Sequence, residues 1–217
     1  EQGLQFGRII SARALGIDVA GFTINRYCAS GLESIAIATS KIRTGMADCI
    51  IAGGTESMSL VPTAGWKTVP AYSIAKEEPD YYLSMGLTAE AVAKEFKVSR
   101  EDQDAFAYQS HQKAMKAIEN GYFKSGILPI TVEETYLNEK GKKAVRSYVV
   151  DTDEGVRADT NVEALAKLKP AFAMGGSVTA GNSSQTSDGA AFTIVMSERM
   201  VVELGLKPIG RLVNCAS

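Results

Sequence analysis

Short apolar runs alternate along this chain with stretches whose apolar positions recur every three or four residues, the pattern of mixed strand and helix. Gly21 precedes the run Phe22-Thr23-Ile24, which suits a buried strand. Leu32 to Ile42 is rich in Ala and Ile on all sides, which predicts a buried helix, and Gly45 is a plausible stop. Cys49-Ile50-Ile51-Ala52 reads as a second buried strand that ends at Gly53-Gly54. Strand, helix and strand between residues 21 and 54 predict a βαβ unit, with a right-handed crossover and a parallel sheet covered on both faces.

From Leu60 to Met85 the pattern breaks. Pro62, Gly65, Trp66, Pro70 and Pro79 interrupt any period, and an excursion of this length tends to be functional or an inserted subdomain. Two helices follow. The first covers Thr88 to Lys97, and Ser99 with Asp102 then forms a capping signature for the second. That helix places Phe106, Ser110, Ala114, Ala117 and Ile118 on one stripe and stops at Asn120-Gly121. Residues 127 to 150 predict two strands around a polar turn at Asn138 to Gly141. A Gly- and Ser-rich stretch, Gly175 to Gly189, leads into the apolar run Ala190 to Met196, and a last strand is expected over Ile209 to Asn214.

Composition narrows the function classes. An apolar fraction of 45% and a charged fraction of 22% over 217 residues are ordinary for a globular protein. A formal net charge of -2 gives no electrostatic case for nucleic acid or an anionic membrane as partner. The basic run from Lys140 to Arg146 contains Gly141 and reads as a solvated turn. No apolar run reaches the roughly 20 residues that span a bilayer, and Glu1 opens no signal or transit peptide. Cys28, Cys49 and Cys215 are an odd count without Cys-x-x-Cys spacing, which argues against a disulfide framework and a zinc site and for a reducing compartment.

The candidate chemistry lies at Cys28. In INRYCASGLES, from Ile24, a cysteine stands between a predicted strand end and a helix start. The thiolate is the nucleophile, and a helix N-terminus with its unpaired N–H groups favours an anion and can cradle the oxyanion of an attacked thioester. Ala29, Ser30 and Gly31 are small enough to admit substrate; tight packing alone is the other reading of Ser30 and Gly31. A buried structural thiol is the competing reading of Cys28, since free cysteine is among the most buried residue types. For Cys49, inside an apolar run, burial in the core is the expectation.

INRYCASGLES resembles the nucleophile motif of the thiolases, V-N-x-x-C-[AS]-S-G. The resemblance extends to EQGLQFGR from Glu1, AGGTESMS from Ala52, SREDQDAFAYQSHQKA from Ser99, LAKLKPAF from Leu165 and TAGNSSQTSDGAA from Thr179. It implies an α/β, α-β-α-β-α layered fold, here an incomplete N-terminal half with an inserted loop domain. The implied division is 1–59 for the N-terminal half, 60–176 for the loop domain, and 177–217 for the return to that half and the start of the C-terminal half. It also implies an acyltransferase that cleaves 3-oxoacyl-CoA through an acyl-Cys28 intermediate. By the same likeness Arg157 and Ser184 contact coenzyme A and Met85 flanks its pantetheine arm. A solvated arginine, a turn serine and a core methionine are the alternative readings of these three. Coenzyme A is then a substrate rather than a bound cofactor, no metal is implied, and a homodimer or homotetramer is expected.

The family's histidine in G-H-P, cysteine in C-x-G and asparagine in N-E-A-F-A have no counterpart among these residues. They belong to the family's C-terminal half, so roughly half a subunit is expected here and little turnover from it alone. His111 reads as a helix-surface or packing residue. Ser84 stands where acetoacetyl-CoA-specific biosynthetic thiolases carry a histidine before Met-Gly, which tilts the expectation to a degradative 3-ketoacyl-CoA thiolase. The alternatives are a non-catalytic CoA-binding or dimerising module, a biosynthetic thiolase, and a ketoacyl-synthase-type enzyme, against which the motifs from Ser99 and Leu165 speak. The expected compartment is the cytoplasm, with mitochondrion or peroxisome as alternatives.

Overall fold

The computed structural model describes residues 4–216, so the first three residues of the EQGLQFGR stretch and the final Ser217 lie outside it. The chain divides into two compact units. One comprises the residues up to Val69 together with those from Thr186 onward, and the other runs from Pro70 to Gln185. The divisions expected at 59/60 and 176/177 thus fall about ten residues later, for a reason visible in the hydrogen bonds of Ser177 to Asn182 described below.

In the first unit, helix α1 (Phe6–Ala14) is bound to the segment that follows it. Its Gly7 N–H donates to Thr23 Oγ1 at 2.8 Å, and Ser11 Oγ donates to the Val19 carbonyl at 2.7 Å. A Cβ on Gly7 would stand 2.5 Å from the Phe22 carbonyl oxygen, so only glycine permits this approach. The strand expected at Phe22 to Ile24 does not form. Thr23 spends its N–H on Gln5 Oε1 and its hydroxyl on Gly7, and no neighbouring strand offers the segment a ladder.

Helix α2 (Ser30–Arg43) forms where the Ala-rich run predicts it. Gly45, at φ 73°, ends it in a Schellman turn: the Gly45 N–H bonds to the Ile42 carbonyl and the Met46 N–H to that of Lys41. Ala36 and Ala38 are buried, and α2 packs against strands β1 (Cys49–Ser57) and β4 (Asp188–Met196). These two strands pair antiparallel, from Cys49 opposite Met196 to Ser57 opposite Asp188. The expected parallel βαβ unit is therefore replaced by an antiparallel ribbon that carries α2 on one face. A Cβ on Gly53 would lie 2.2 Å from the Ala191 carbonyl oxygen, which explains a glycine inside β1.

Two further expectations change. Cys49 is exposed at the start of β1 rather than buried in a core. Residues Ile209 to Asn214 form no strand; the Arg43 guanidinium holds the Leu212 carbonyl at 3.0 Å instead. At the ribbon's end the Ser59 N–H and hydroxyl both donate to Asp188, which holds that carboxyl below its usual range. Ser197 caps the short helix α7 (Glu198–Glu203) through its Oγ on the Met200 N–H.

The second unit opens with helix α3 (Tyr72–Glu77) and a 3-10 turn, Pro79–Tyr82. Helix α4 (Met85–Phe96) starts three residues earlier than the sequence predicts, because Ser84 serves as its N-cap. Helix α5 (Arg100–Glu119) begins at the predicted capping pair: Ser99 Oγ accepts the Asp102 N–H at 3.0 Å and donates to Asp102 Oδ2 at 2.7 Å. Its inner face differs from the predicted stripe. Phe106 is 73% exposed and Ser110 is exposed, while Asp104, Ala107, Tyr108, His111 and Ala114 turn inward. The predicted stripe holds at Ala114, Ala117 and Ile118, which are half-buried, and fails at Phe106 and Ser110, while Asp104 is the buried residue of the helix. Strands β2 (Ile130–Leu137) and β3 (Lys143–Val150) form the predicted hairpin, with Arg146 over the rings of Tyr136 and Tyr148. Helix α6 (Val162–Ala166) is capped by Asn161 and buries Leu165.

Candidate active site

Cys28 is exposed and sits two residues ahead of α2, in a turn held by short-range bonds. Asn25 Oδ1 accepts the Tyr27 N–H at 2.9 Å. Ser30 Oγ accepts the Arg26 N–H at 2.8 Å and donates to the Tyr27 carbonyl at 2.7 Å. Arg26 in turn pairs with Glu33 in the first turn of α2. These bonds hold Tyr27 at φ 48°, a left-handed conformation that costs a non-glycine residue of order 1 kcal/mol. The result is a tight strand-free elbow that presents Cys28 at a helix start. No side chain caps α2, whose N-cap position is Ala29. Ser30 thus has a structural duty, fixing the elbow, that small size alone did not reveal. Gly31 meets nothing within 4 Å of a built Cβ, so packing does not require a glycine there.

In the second unit three of the sequence stretches singled out above meet at one buried cluster. Asp104 is 2% exposed; its Oδ2 accepts Arg100 Nε at 2.8 Å and its Oδ1 accepts Asn182 Nδ2 at 3.0 Å. Arg100 also donates to the carbonyls of Leu165 (2.6 Å) and Leu168 (3.1 Å). Asn182 Oδ1 accepts the Thr179 N–H at 2.8 Å, and Thr179 is fully buried. The Ser177 and Val178 N–H groups and the Ser177 hydroxyl all donate to Glu90 on α4. Burial pushes the Glu90 carboxyl up, but these three bonds outweigh it and hold the group below the usual carboxylate range. These ties are why residues 177–185 pack with α4 and α5.

Ser184 follows directly on that turn and is exposed, its Oγ donating to the Gln185 carbonyl at 3.2 Å. Arg157 lies in the loop between β3 and α6, with its side chain 70% exposed and only a loose 3.6 Å approach to Asp159. The two segments touch: a Cβ on Gly155 would come 2.8 Å from Gln185 Nε2. The structure therefore brings the Arg157 loop and the Ser184 turn together. Met85 is 71% exposed at the head of α4, where Phe172 covers its neighbour Gly86; this is no core methionine. A concavity of about 350 Å³ between Ile118, Phe123, Lys124, Pro129 and Asp151 contains none of these residues.

Residues 8–199 match the family described as "Thiolase, N-terminal domain". The chain belongs to the thiolase family. It is 52% identical over 210 residues to the 3-ketoacyl-CoA thiolase of Bacillus subtilis, covering 96% of this chain and 54% of that protein. It is 46% identical over 191 residues to the peroxisomal 3-ketoacyl-CoA thiolase of Homo sapiens, covering 88% and 44% respectively. The crystal structure of the Bacillus anthracis acetyl-CoA acetyltransferase matches with a TM-score of 0.76 at 35% identity, over 96% of this chain and 54% of that one. The chain thus spans about half the length of these relatives and shares the α/β thiolase fold.

Sequence reasoning missed the polar supports of this thiolase chain. Arg100 and Asp104 stand four apart, a spacing that marks an ion pair on one helix face, but their partners Leu165 and Asn182 are distant in sequence. Glu90 carried no local signal at all. Among the described residues no three or more of His, Cys, Asp and Glu gather as a metal site, and no helix is long and apolar enough to cross a membrane.

Proposed function

We propose that this chain is the nucleophile-bearing half of a thiolase that cleaves 3-oxoacyl-CoA, with Cys28 as the acyl carrier. One observation carries the reading: in a chain of this family, the exposed Cys28 stands on a braced elbow ahead of an uncapped helix start. The Cys28 thiolate attacks the C3 carbonyl carbon, and the start of α2, which no side chain caps, is suited to the charge that develops on oxygen. The C2–C3 bond then breaks with its electron pair passing to C2 of acetyl-CoA, which takes up a proton. A second coenzyme A thiolate attacks the acyl–Cys28 thioester, releasing the shortened acyl-CoA and restoring the Cys28 thiolate. Condensation is the same sequence reversed.

Coenzyme A acts here as substrate, and no further cofactor enters the scheme. Arg157, with an accessible guanidinium, is suited to a phosphate of coenzyme A, Ser184 to a polar group beside it, and the exposed Met85 to the pantetheine arm. In this reading the first unit is the partial N-terminal half and the second the inserted loop domain. The assembled enzyme is a homo-oligomer, of the degradative subtype because Ser84 spends its hydroxyl on the cap of α4 rather than offering an imidazole. A cytoplasmic enzyme is the favoured setting, with mitochondrion or peroxisome as the alternatives. The test is thiolytic turnover of the full-length protein. Cys28→Ser should abolish it, and Arg157→Ala should raise KM for coenzyme A while leaving Cys28 alkylation intact. Turnover that survives Cys28→Ser sinks the assignment.

A further inference from the structure

Arg157 lies in the irregular stretch Asp151–Asn161, which joins β3 to α6 without a helix or strand of its own. A guanidinium on such a loop binds an anion well only if its backbone is already in place, because ordering a loop on binding subtracts from affinity. Three ties hold this loop. Asn161 caps α6 at its far end, Gly155 abuts the Gln185 side chain near its middle, and the Arg157 N–H donates to Nδ1 of His111 at 3.2 Å. The last is donated by Arg157's own backbone N–H to a half-buried side chain of α5. An Nδ1 accepts such a bond only while it carries no proton.

We propose that His111 is a positioning residue for coenzyme A, fixing the Arg157 backbone to α5 while the guanidinium, loosely approached by Asp159, stays open to solvent. This rests on the reading of Arg157 as a coenzyme A contact. It replaces the expectation that His111 only packs or lies on the surface: half-buried on α5, it acts through Arg157 and touches no substrate. The division of labour follows from exposure, since the Arg157 side chain is 70% open to solvent and its backbone is the part that is held.

The experiment uses the full-length protein with an acyl-CoA substrate and varied coenzyme A. His111→Phe keeps a ring in the space and deletes the acceptor; His111→Asn puts an amide oxygen near the place of Nδ1. Losing one hydrogen bond of ordinary net strength corresponds to about three- to tenfold. The expected result is that much rise in KM for coenzyme A in His111→Phe, with kcat and the rate of Cys28 alkylation unchanged and with recovery in His111→Asn. In an Arg157→Ala background His111→Phe should add nothing. If Arg157→Ala raises KM and His111→Phe does not, the positioning role is overturned and the contact stands. If Arg157→Ala itself leaves KM unchanged, the contact reading fails first and the inference falls with it. Should His111→Phe not fold, hydrogen exchange in the unmutated protein decides: an Arg157 amide exchanging as fast as those of its loop neighbours overturns the proposal.

Discussion

Replacing Asp104 by alanine is the sharpest test of how this chain holds its site-bearing loops. The carboxylate is 2% exposed and accepts two charge-assisted hydrogen bonds, from Arg100 Nε and Asn182 Nδ2. Truncating one member of a buried ion pair typically costs about 3–5 kcal/mol, mostly from the charge left behind. Here the lower end applies, because the Arg100 side chain is 21% exposed and keeps the carbonyls of Leu165 and Leu168. About 3 kcal/mol, at roughly 1.4 kcal/mol per factor of ten, is a hundredfold loss of protection for amides whose exchange requires this cluster to open. The amides to watch are those of Thr179, Gly181 and Asn182, all of which bond within the 179–182 turn. Asp104→Asn should fall between: its amide nitrogen would face a donor whichever way it turned. Asn182 cannot flip to compensate, since its oxygen holds Thr179 and its nitrogen the Ser177 carbonyl. Native-state exchange on the folded protein measures this directly. Protection of those three amides within threefold of the parent in Asp104→Ala would refute the view that Asp104 supports the turn.

Four further outcomes are expected. Limiting iodoacetamide should label Cys28 before Cys49 although both thiols are exposed, and peptide mapping that finds Cys49 first removes the helix-start argument. Ser30→Ala frees the Arg26 N–H and the Tyr27 carbonyl, and should change the Cys28 alkylation rate at least about threefold at a stability cost near 1 kcal/mol, leaving Cys49 alone. The Glu90 carboxyl has a lowered folded-state pKa, so its contribution is complete above the ordinary glutamate value of about 4.3 and fades as pH falls through the lowered one. Exchange at Ser177 and Val178 should rise over that acid window in the parent but be far less pH-dependent in Glu90→Gln. The 217-residue chain alone should show no thiolytic turnover, since each positioned acid or base contributes roughly 10²–10⁴-fold and the family's candidates lie outside it; multiple turnovers that vanish in Cys28→Ser would count against the proposed division of labour.

Elements whose cause is local were legible in the sequence. The Ser99–Asp102 cap, the Schellman turn at Gly45, the stop at Asn120-Gly121 and the hairpin around Asn138 to Gly141 are all decided by a few neighbouring residues. Strands at Phe22 and Ile209 were misread for one common reason. A strand exists only beside a partner, and apolar runs carry no information about which partner is present. Phe22 to Ile24 found α1, and Ile209 to Asn214 found the Arg43 side chain. The parallel sheet failed for the same reason, because β1 pairs with a strand more than a hundred residues away. The helix start just after Cys28 was legible because the residues that form it are adjacent in sequence.

The motif stretches from Ser99, Leu165 and Thr179 looked like carriers of function, and the structure gives four of their polar residues a different duty. Arg100, Asp104, Thr179 and Asn182 point inward to one another, and none of these side chains is exposed. Gly181 belongs to the same construction, since a Cβ there would stand 2.5 Å from the methyls of Leu165 and Leu168. Such a cluster is expensive to leave half-made, so its members are specified together. Near this cluster Ser184, two residues past the turn, is exposed, and so is Arg157 on the loop that abuts the following Gln185. The likeness of these stretches to a family is therefore strong evidence for the scaffold and weaker evidence for any single contact. Exposure separates the two kinds of residue: the Arg157 side chain on the neighbouring loop is open to solvent, and Asp104 is not.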